Sequence, residues 1–237
     1  MRSPSPCEAR LDKQIRDTIR DAFAAVRTGG DGWVSGNETE DKSIIGVGTH
    51  SEDLFFSLGA TDVGGYSIQL SLNESSPAFA AAQRKYQQAS QGDGSAASIA
   101  RLMDATREWM SSLAVVVAVA VNQSSTLIDF KGKLDRLDLP GATYALRGLT
   151  TQGGGGGDIT NSKPTTVIYL GRWKAPVVEH LSDGGLKEDL VPDYPPSAPH
   201  LSVQAIVIRI EGSLAQSDKV VKLIDYAKLK TLLTYQP

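Results

Sequence analysis

Apolar positions recur along this chain with two different periods, and the changes of period mark its elements. Between residues 10 and 27, Leu11, Ile15, Ile19, Ala22, Phe23 and Val26 return at helical spacing, with Arg10, Asp12, Lys13, Arg16, Asp17, Arg20 and Asp21 between them. That pattern predicts a helix with one apolar stripe and a solvated, mixed-charge back, stopped by Gly29-Gly30. Tyr66, Ile68, Leu70 and Leu72 alternate with Ser67, Gln69 and Ser71, which predicts a strand with its apolar side inward. Ser76-Pro77 pairs a cap with a first-turn proline and opens a helix bearing Phe79, Ala82, Tyr86 and Ala89. After the turn Gly92-Asp93-Gly94-Ser95, a second helix carries Ile99, Leu102, Met103, Thr106, Trp109 and Met110 on one face. The two helices predict a hairpin lying against a sheet.

The most apolar run follows at once. From Leu113 to Val121 every odd position is Leu or Val, and the even ones are Ala114, Val116, Ala118 and Ala120. Nine residues are too few to span a bilayer as a helix, which needs about 20. Their β-branched content points to a central strand, buried on both sides, with a close neighbour on the alanine side. Further alternation places strands around Ile128, Phe130 and Leu134, around Tyr144 and Leu146, over Thr165–Leu170 and over Leu201–Ile210. Pro140-Gly141 marks a turn. Residues 213–233 read as a closing helix with Val220, Leu223, Ile224, Ala227 and Leu232 available for burial. Residues 28–43 read as a polar loop, Ile44–Gly48 and Leu54–Leu58 as short strands, and residues 182–200, with Pro192, Pro195, Pro196 and Pro199, as an extended surface segment.

The expected fold class is α+β: a mostly antiparallel sheet with an N-terminal helix, a central helical hairpin and a C-terminal helix packed on it. Residues 1–9 are expected to be a disordered leader, and residues 10–237 a single α+β domain. The 237-residue length sits within the usual range for one domain. With 41% hydrophobic and 22% charged residues, the composition suits a packed core.

The net charge of −3 weighs against nucleic acid, whose binders carry a basic excess, and against a polybasic membrane-surface module. The start of the chain lacks an apolar targeting core, so no secretory signal is expected. The single cysteine, Cys7, can form no internal disulfide and no cysteine-based zinc site, and a reducing, cytoplasmic setting follows as an expectation.

No catalytic motif stands out. The run Gly153–Gly157 is followed by Asp158, Ile159 and Thr160, where a phosphate loop needs lysine and serine or threonine. His50, His180 and His200 are far apart, so no metal site and no cofactor is implied. The weak catalytic candidates are His50, Glu52 and Asp53. The carboxylate pairs Asp135/Asp138 and Glu188/Asp189 read as ion pairs or solvated turns. Trp173, between Arg172 and Lys174, is a candidate for stacking on a partner.

Asp193–Pro199 favours a polyproline conformation suited to recognition in a groove. Its tetrapeptide Pro196-Ser197-Ala198-Pro199 resembles the late-domain motif by which viral structural proteins recruit budding machinery; the resemblance covers those four residues only. The chain is thus read as a non-catalytic binding or assembly protein, a structural subunit of viral or oligomeric type. It is expected to work through a protein partner or as a homo-oligomer, without a membrane span. Tyr194, Pro196, Ser197, Pro199 and Trp173 are its expected partner-binding residues, and residues 190–200 are expected to be dispensable for the fold. The alternative is a small hydrolase with a loop site at His50, Glu52 and Asp53.

Overall fold

The alternating segments meet as neighbours in one sheet. The computed structural model of the protein describes residues 5–28, 33–40, 63–122, 126–151, 162–182, 184–193, 195 and 201–233. In chain order the elements are α1 (Pro6–Ala22), α2 (Ala24–Arg27), β1 (Trp33–Glu40), β2 (Val63–Leu72), α3 (Pro77–Ser90), α4 (Ala96–Leu113), β3 (Ala114–Val121), β4 (Thr126–Arg136), β5 (Tyr144–Thr151), β6 (Ser162–Gly171), β7 (Val177–His180), β8 (Gly185–Leu190), β9 (Ala205–Glu211), α5 (Leu214–Leu223) and α6 (Tyr226–Leu233). The sheet runs β1-β2-β3-β9-β6-β5-β4-β8-β7, and each pairing is antiparallel. The α+β class expected from the sequence is the one observed.

One face of the sheet is covered by helices. Val115, Val117, Val119 and Val121 of β3, Ile68 and Leu70 of β2, Ile206, Ile208 and Ile210 of β9 and Ile168 and Leu170 of β6 form a fully buried layer. Leu11, Ile15 and Ile19 of α1, Val220 and Val221 of α5, and Leu229 and Leu232 of α6 close over it. Each such side chain withdrawn from water is worth about 1.5–3 kcal/mol. Polar ties fix the helices in place: Arg147 on β5 reaches Asp218 of α5 (2.6 Å) and Thr166 of β6 (3.0 Å), and Lys228 of α6 meets Asp21 of α1 (2.8 Å).

Among the described residues the other face is covered only in part, and by the sheet itself. Ile128 and Phe130 of β4, Leu146 of β5, Val167 and Tyr169 of β6, Leu190 of β8 and Ala205 and Val207 of β9 form a second apolar cluster with Trp173. Among the described residues no helix contributes to it, and the β4–β8 end curls over. A bulge between Lys131 and Asp135 permits the bend, and Gly132 there takes φ +71°, a value that residues with a side chain rarely adopt.

Several expectations need correction. The stretch 28–43 is not all loop, because β1 occupies Trp33–Glu40. Its pattern is too polar to register as a strand, and pairing with β2 supplies what propensity does not. The strand β3 lies third in the sheet but is buried on one side only; Ala114, Val116, Ala118 and Ala120 are half-exposed, with Ala120 alone of these reaching the second cluster. Residues 182–200 are not one surface segment: Gly185–Leu190 form β8, and Pro192 bridges Trp173. The first helix begins at Pro6, within the stretch assigned to a leader, because Ser5 and Glu8 complete a capping box. The closing helix is broken at Ile224 into α5 and α6. The segments Ile44–Gly48, Leu54–Leu58 and Gly153–Gly157 lie outside the described residues.

One buried polar clamp joins the end of β3 to the start of β9. Asn122, at φ +54°, donates from Nδ2 to the Ser202 carbonyl (2.8 Å) and accepts on Oδ1 from the amides of Gln204 (2.8 Å) and Ala205 (3.3 Å). Asparagine is among the few residues that tolerate this backbone conformation. The Gln204 carbonyl also lies 2.3 Å from where a Cβ on Gly171 would stand, so only glycine fits there. Replacing Asn122 with alanine strands two buried backbone groups and strains the turn, at a cost of about 3 kcal/mol in urea unfolding. Asn122→Gly, which loses the same hydrogen bonds but avoids the strain of a Cβ at this φ, is expected to lose less than the alanine variant.

Candidate functional site

Between β2 and β3, which are direct neighbours, the chain leaves the sheet and returns through α3 and α4. Both helices start on a serine whose hydroxyl accepts from a first-turn amide: Ser76 from Phe79 (3.1 Å) and Ser95 from Ser98 (3.2 Å). The turn joining them is held by Asp93, which accepts the Ser95 amide (3.0 Å). Hydrogen bonds from Ser95, hydroxyl first and then amide, hold the Asp93 carboxyl down at about 2. α3 packs on α4, and α4 in turn meets β2, β3 and β6.

The pairing of α3 with α4 is rigid and aromatic. Trp109 takes Phe79 edge-on at 5.2 Å and stacks with Tyr86 at 6.0 Å. Lys85 and Glu108 close the outer side at 2.5 Å. Ser98, Leu102, Ala105 and Trp109 share the side of α4 that meets α3 by helical spacing. The sequence places Ile99, Met103 and Met110 on that same face; the structure separates them from it. They form a second stripe, exposed by 52%, 40% and 64% respectively. Single exposed apolar residues need no explanation, but an aligned set on one helix face does.

A second feature lies inside the curl of the sheet. Glu188 of β8 pairs with Ile128 of β4 and Val178 of β7, so it shares their face, between Leu186 and Leu190 on its own strand. It is only 1% exposed, and neither carboxylate oxygen has a hydrogen-bond partner among the described residues. Burial pushes its carboxyl up to about 7, and the charge of Arg136 opposes that only in part. The sequence reading of Glu188 as ion-paired or in a solvated turn is therefore overturned. Asp135 of the other carboxylate pair does form an exposed ion pair, with Lys133 at 2.6 Å.

The remaining sequence-predicted residues scatter. Trp173 is 6% exposed, donates Nε1–H to the Leu170 carbonyl (2.9 Å) and meets Tyr169 edge-on at 5.1 Å, so it serves the core rather than a partner. His180 stands exposed on β7, opposite Leu186. His50, Glu52, Asp53, Tyr194, Pro196, Ser197 and Pro199 lie outside the described residues. Leu190 is fully buried and Pro192 bridges Trp173, so residues 190–192 belong to the body and are not dispensable. Among the described residues no three metal-ligating side chains gather, and no helix is long and apolar enough to cross a membrane.

No protein-family model matches the chain, and neither a curated protein nor a solved structure shows similarity to it. The functional reading rests on the geometry alone.

Glu188 makes stability pH-dependent in a definite direction. The folded protein holds this proton up to about pH 7, whereas the ordinary value is 4.5, so folding takes up a proton between those values. The group leaves stability undiminished below pH 4.5 and lowers it progressively as pH rises to about 7. Thermal midpoints measured from pH 5 to pH 8 should fall more for the native protein than for Glu188→Gln. The two should agree near pH 5 and separate at pH 8, with the variant higher. Parallel curves would show that Glu188 is not the titrating group.

Proposed function

We propose that this chain is a non-catalytic binding or assembly protein, a structural subunit, and that the α3–α4 arm is its contact element. The observation that carries this reading is the exposed stripe Ile99, Met103 and Met110 on a helix already packed against a partner helix through its other face. A helix needs one apolar face to be held in place. α4 has a second, and water gains nothing from it. Exposed methionine on a rigid helix is also a common contact surface, because its unbranched side chain adapts to the opposing shape.

The arm adds support from topology. Antiparallel neighbours such as β2 and β3 can be joined by a two-residue turn. Here the connection is two helices, capped at both starts and cross-braced by Trp109, which places a rigid surface beyond the sheet. The Pro-rich segment after Asp193 remains, on its sequence, a second candidate for partner contact.

Met103→Glu with Met110→Glu tests the reading. Substitutions on a solvated surface change stability by less than about 0.5 kcal/mol, or about 2 °C in a chain of this length. The double variant is expected to keep its thermal midpoint within that margin and to lose retention on a phenyl matrix. A midpoint lowered by ten degrees would make the stripe part of the core, and unchanged retention would leave it without the exposed character the reading requires.

A further inference from the structure

We infer that the β7–β8 hairpin is a hinged flap governed by one carboxyl: it lies shut on the second apolar cluster while Glu188 carries a proton, and it swings off β4 in a rising fraction of molecules as that proton is lost. The hairpin occupies one end of the sheet. Among the described residues β7 pairs only with β8, and all four of its residues are exposed, so β7 adds little hold on the body. β8 grips the body through its ladder with β4, Thr126–Lys131 against Leu190–Gly185, and through Leu186 and Leu190 in the cluster. The hairpin itself is held together separately. At its tip the Leu181 amide donates to the Gly185 carbonyl (2.8 Å) and the Gly184 amide to the Leu181 carbonyl (3.0 Å). Lys187 meets Glu179 across its two strands at 3.7 Å. Its base is stapled as well. The Lys174 amide donates to the Val191 carbonyl (3.0 Å) and the Asp193 amide to the Arg172 carbonyl (3.0 Å); Arg172 Nε donates to the Asp193 carbonyl (3.2 Å), and Trp173 bridges Pro192. Between a stapled base and a closed tip, β8 can leave β4 as a unit.

Glu188 sits in the middle of that grip. Leu190, nearest the base, is fully buried, Leu186, nearest the tip, is half-buried, and Glu188 lies between them with both oxygens enclosed and unpartnered. An ionised carboxylate in such a place costs far more than the neutral acid. Few charges stand near to offset it. β4 sets Ile128 opposite and, beyond its bulge, the exposed Arg136, whose charge favours the ionised form. β7 sets Val178 opposite, with the exposed His180 two residues further on. Lys187 and Asp189 of β8 alternate to the other side. β5 and β6 add the phenols of Tyr144 and Tyr169 to the cluster, and Arg209 of β9 is engaged with Glu211 at 2.9 Å. Burial wins over Arg136 and raises the carboxyl from 4.5 to about 7. Closing therefore takes up a proton. The closed form is fully favoured below pH 4.5 and loses ground until the pH passes about 7. Releasing β8 breaks one edge ladder, whereas unfolding also breaks the helix-covered core, so the flap yields first. Its opening bares Ile128 and Phe130 to water.

Hydrogen exchange of the whole chain, read by mass spectrometry and corrected for the intrinsic pH dependence of amide exchange, tests this. Protection over residues 185–190 is expected to fall by about tenfold per pH unit between pH 5 and pH 7, and at each pH to lie well below that of Val115–Val121 in β3. Urea at about 2 M should speed exchange in β3 and leave residues 185–190 nearly unchanged, because a flap exposes little surface. Equal protection and an equal urea response in the two strands would mean that β8 opens only with the whole molecule, which overturns the inference. Glu188→Gln is expected to abolish the pH slope over residues 185–190, and a slope that survives it overturns the inference. His180→Asn is expected to keep the slope; its loss there would assign the proton to the imidazole and overturn the role of Glu188. A clamp tests the motion with Glu188 in place. Asp129 and Lys187 stand opposite each other in the ladder, so Asp129→Cys with Lys187→Cys, in a Cys7→Ser background, places two thiols within disulfide reach. Oxidation should slow exchange over residues 185–190 to the rate of β3, and reduction should restore it. Exchange that oxidation leaves unchanged would show that β8 does not leave β4.

Discussion

The structure depends on one constraint: β6 and β9 are apolar on both faces, and each face has to be taken out of water by something different. Ile168 and Leu170 point to one side, Val167 and Tyr169 to the other; Ile206, Ile208 and Ile210 oppose Ala205 and Val207 in the same way. The first side is closed by three amphipathic helices drawn from the two ends of the chain. On the second, no helix among the described residues takes part, and the sheet bends at the Lys131–Asp135 bulge to bring β4, β8 and the Trp173 ring into the cluster. A single curled sheet thus does the work that two layers do in most folds.

The self-covering has two consequences. It stops before β3, which leaves Ala114, Val116 and Ala118 half in water although the strand lies well inside the sheet. It also encloses Glu188, since β8 contributes that carboxyl to the covered face along with Leu186 and Leu190. A buried, unpartnered acid is a cost to stability at neutral pH, and the fold tolerates it because the surrounding apolar burial exceeds it. The arm stands outside this arrangement. Its helices are braced by Trp109, it touches the sheet through α4, and its second apolar stripe is exposed.

Legibility varied with how local the determining interaction is. The stripe from Leu11 to Val26, the Ser76-Pro77 start and the alternation over Tyr66–Leu72 are short-range patterns, and the corresponding elements appear where they predict. β1 was hidden because Trp33–Glu40 contains Ser35, Gly36, Asn37, Glu38 and Glu40, and only the ladder with β2 makes it a strand. Trp173 between two cations suits partner stacking as well as half-buried packing; the chain turns at Gly171 and drops the ring onto Tyr169, which decides for packing. Glu188 and Asp189 are adjacent acids that look equivalent in the sequence. The signal that separates them is the alternation Leu186, Glu188, Leu190, which puts Glu188 in phase with two leucines.

On α4 the sequence shows a broad apolar face from Ile99 to Met110 and nothing that divides it. The division comes from α3, which takes Trp109 between Phe79 and Tyr86, while Ile99, Met103 and Met110 stay exposed. By itself, then, the sequence determined the α+β class, the antiparallel pairing of β4 with β5, the capped hairpin and the absence of a basic excess, since each depends on residues within a few positions of one another or on composition; it did not show that β9, and not β4, lies beside β3. Only the tertiary structure decided which faces are covered, where Glu188 and Trp173 lie and which stripe of α4 is left bare. Cover is supplied by segments distant in sequence, and whether a side chain meets water or another residue is set by the register and curvature that bring those segments together.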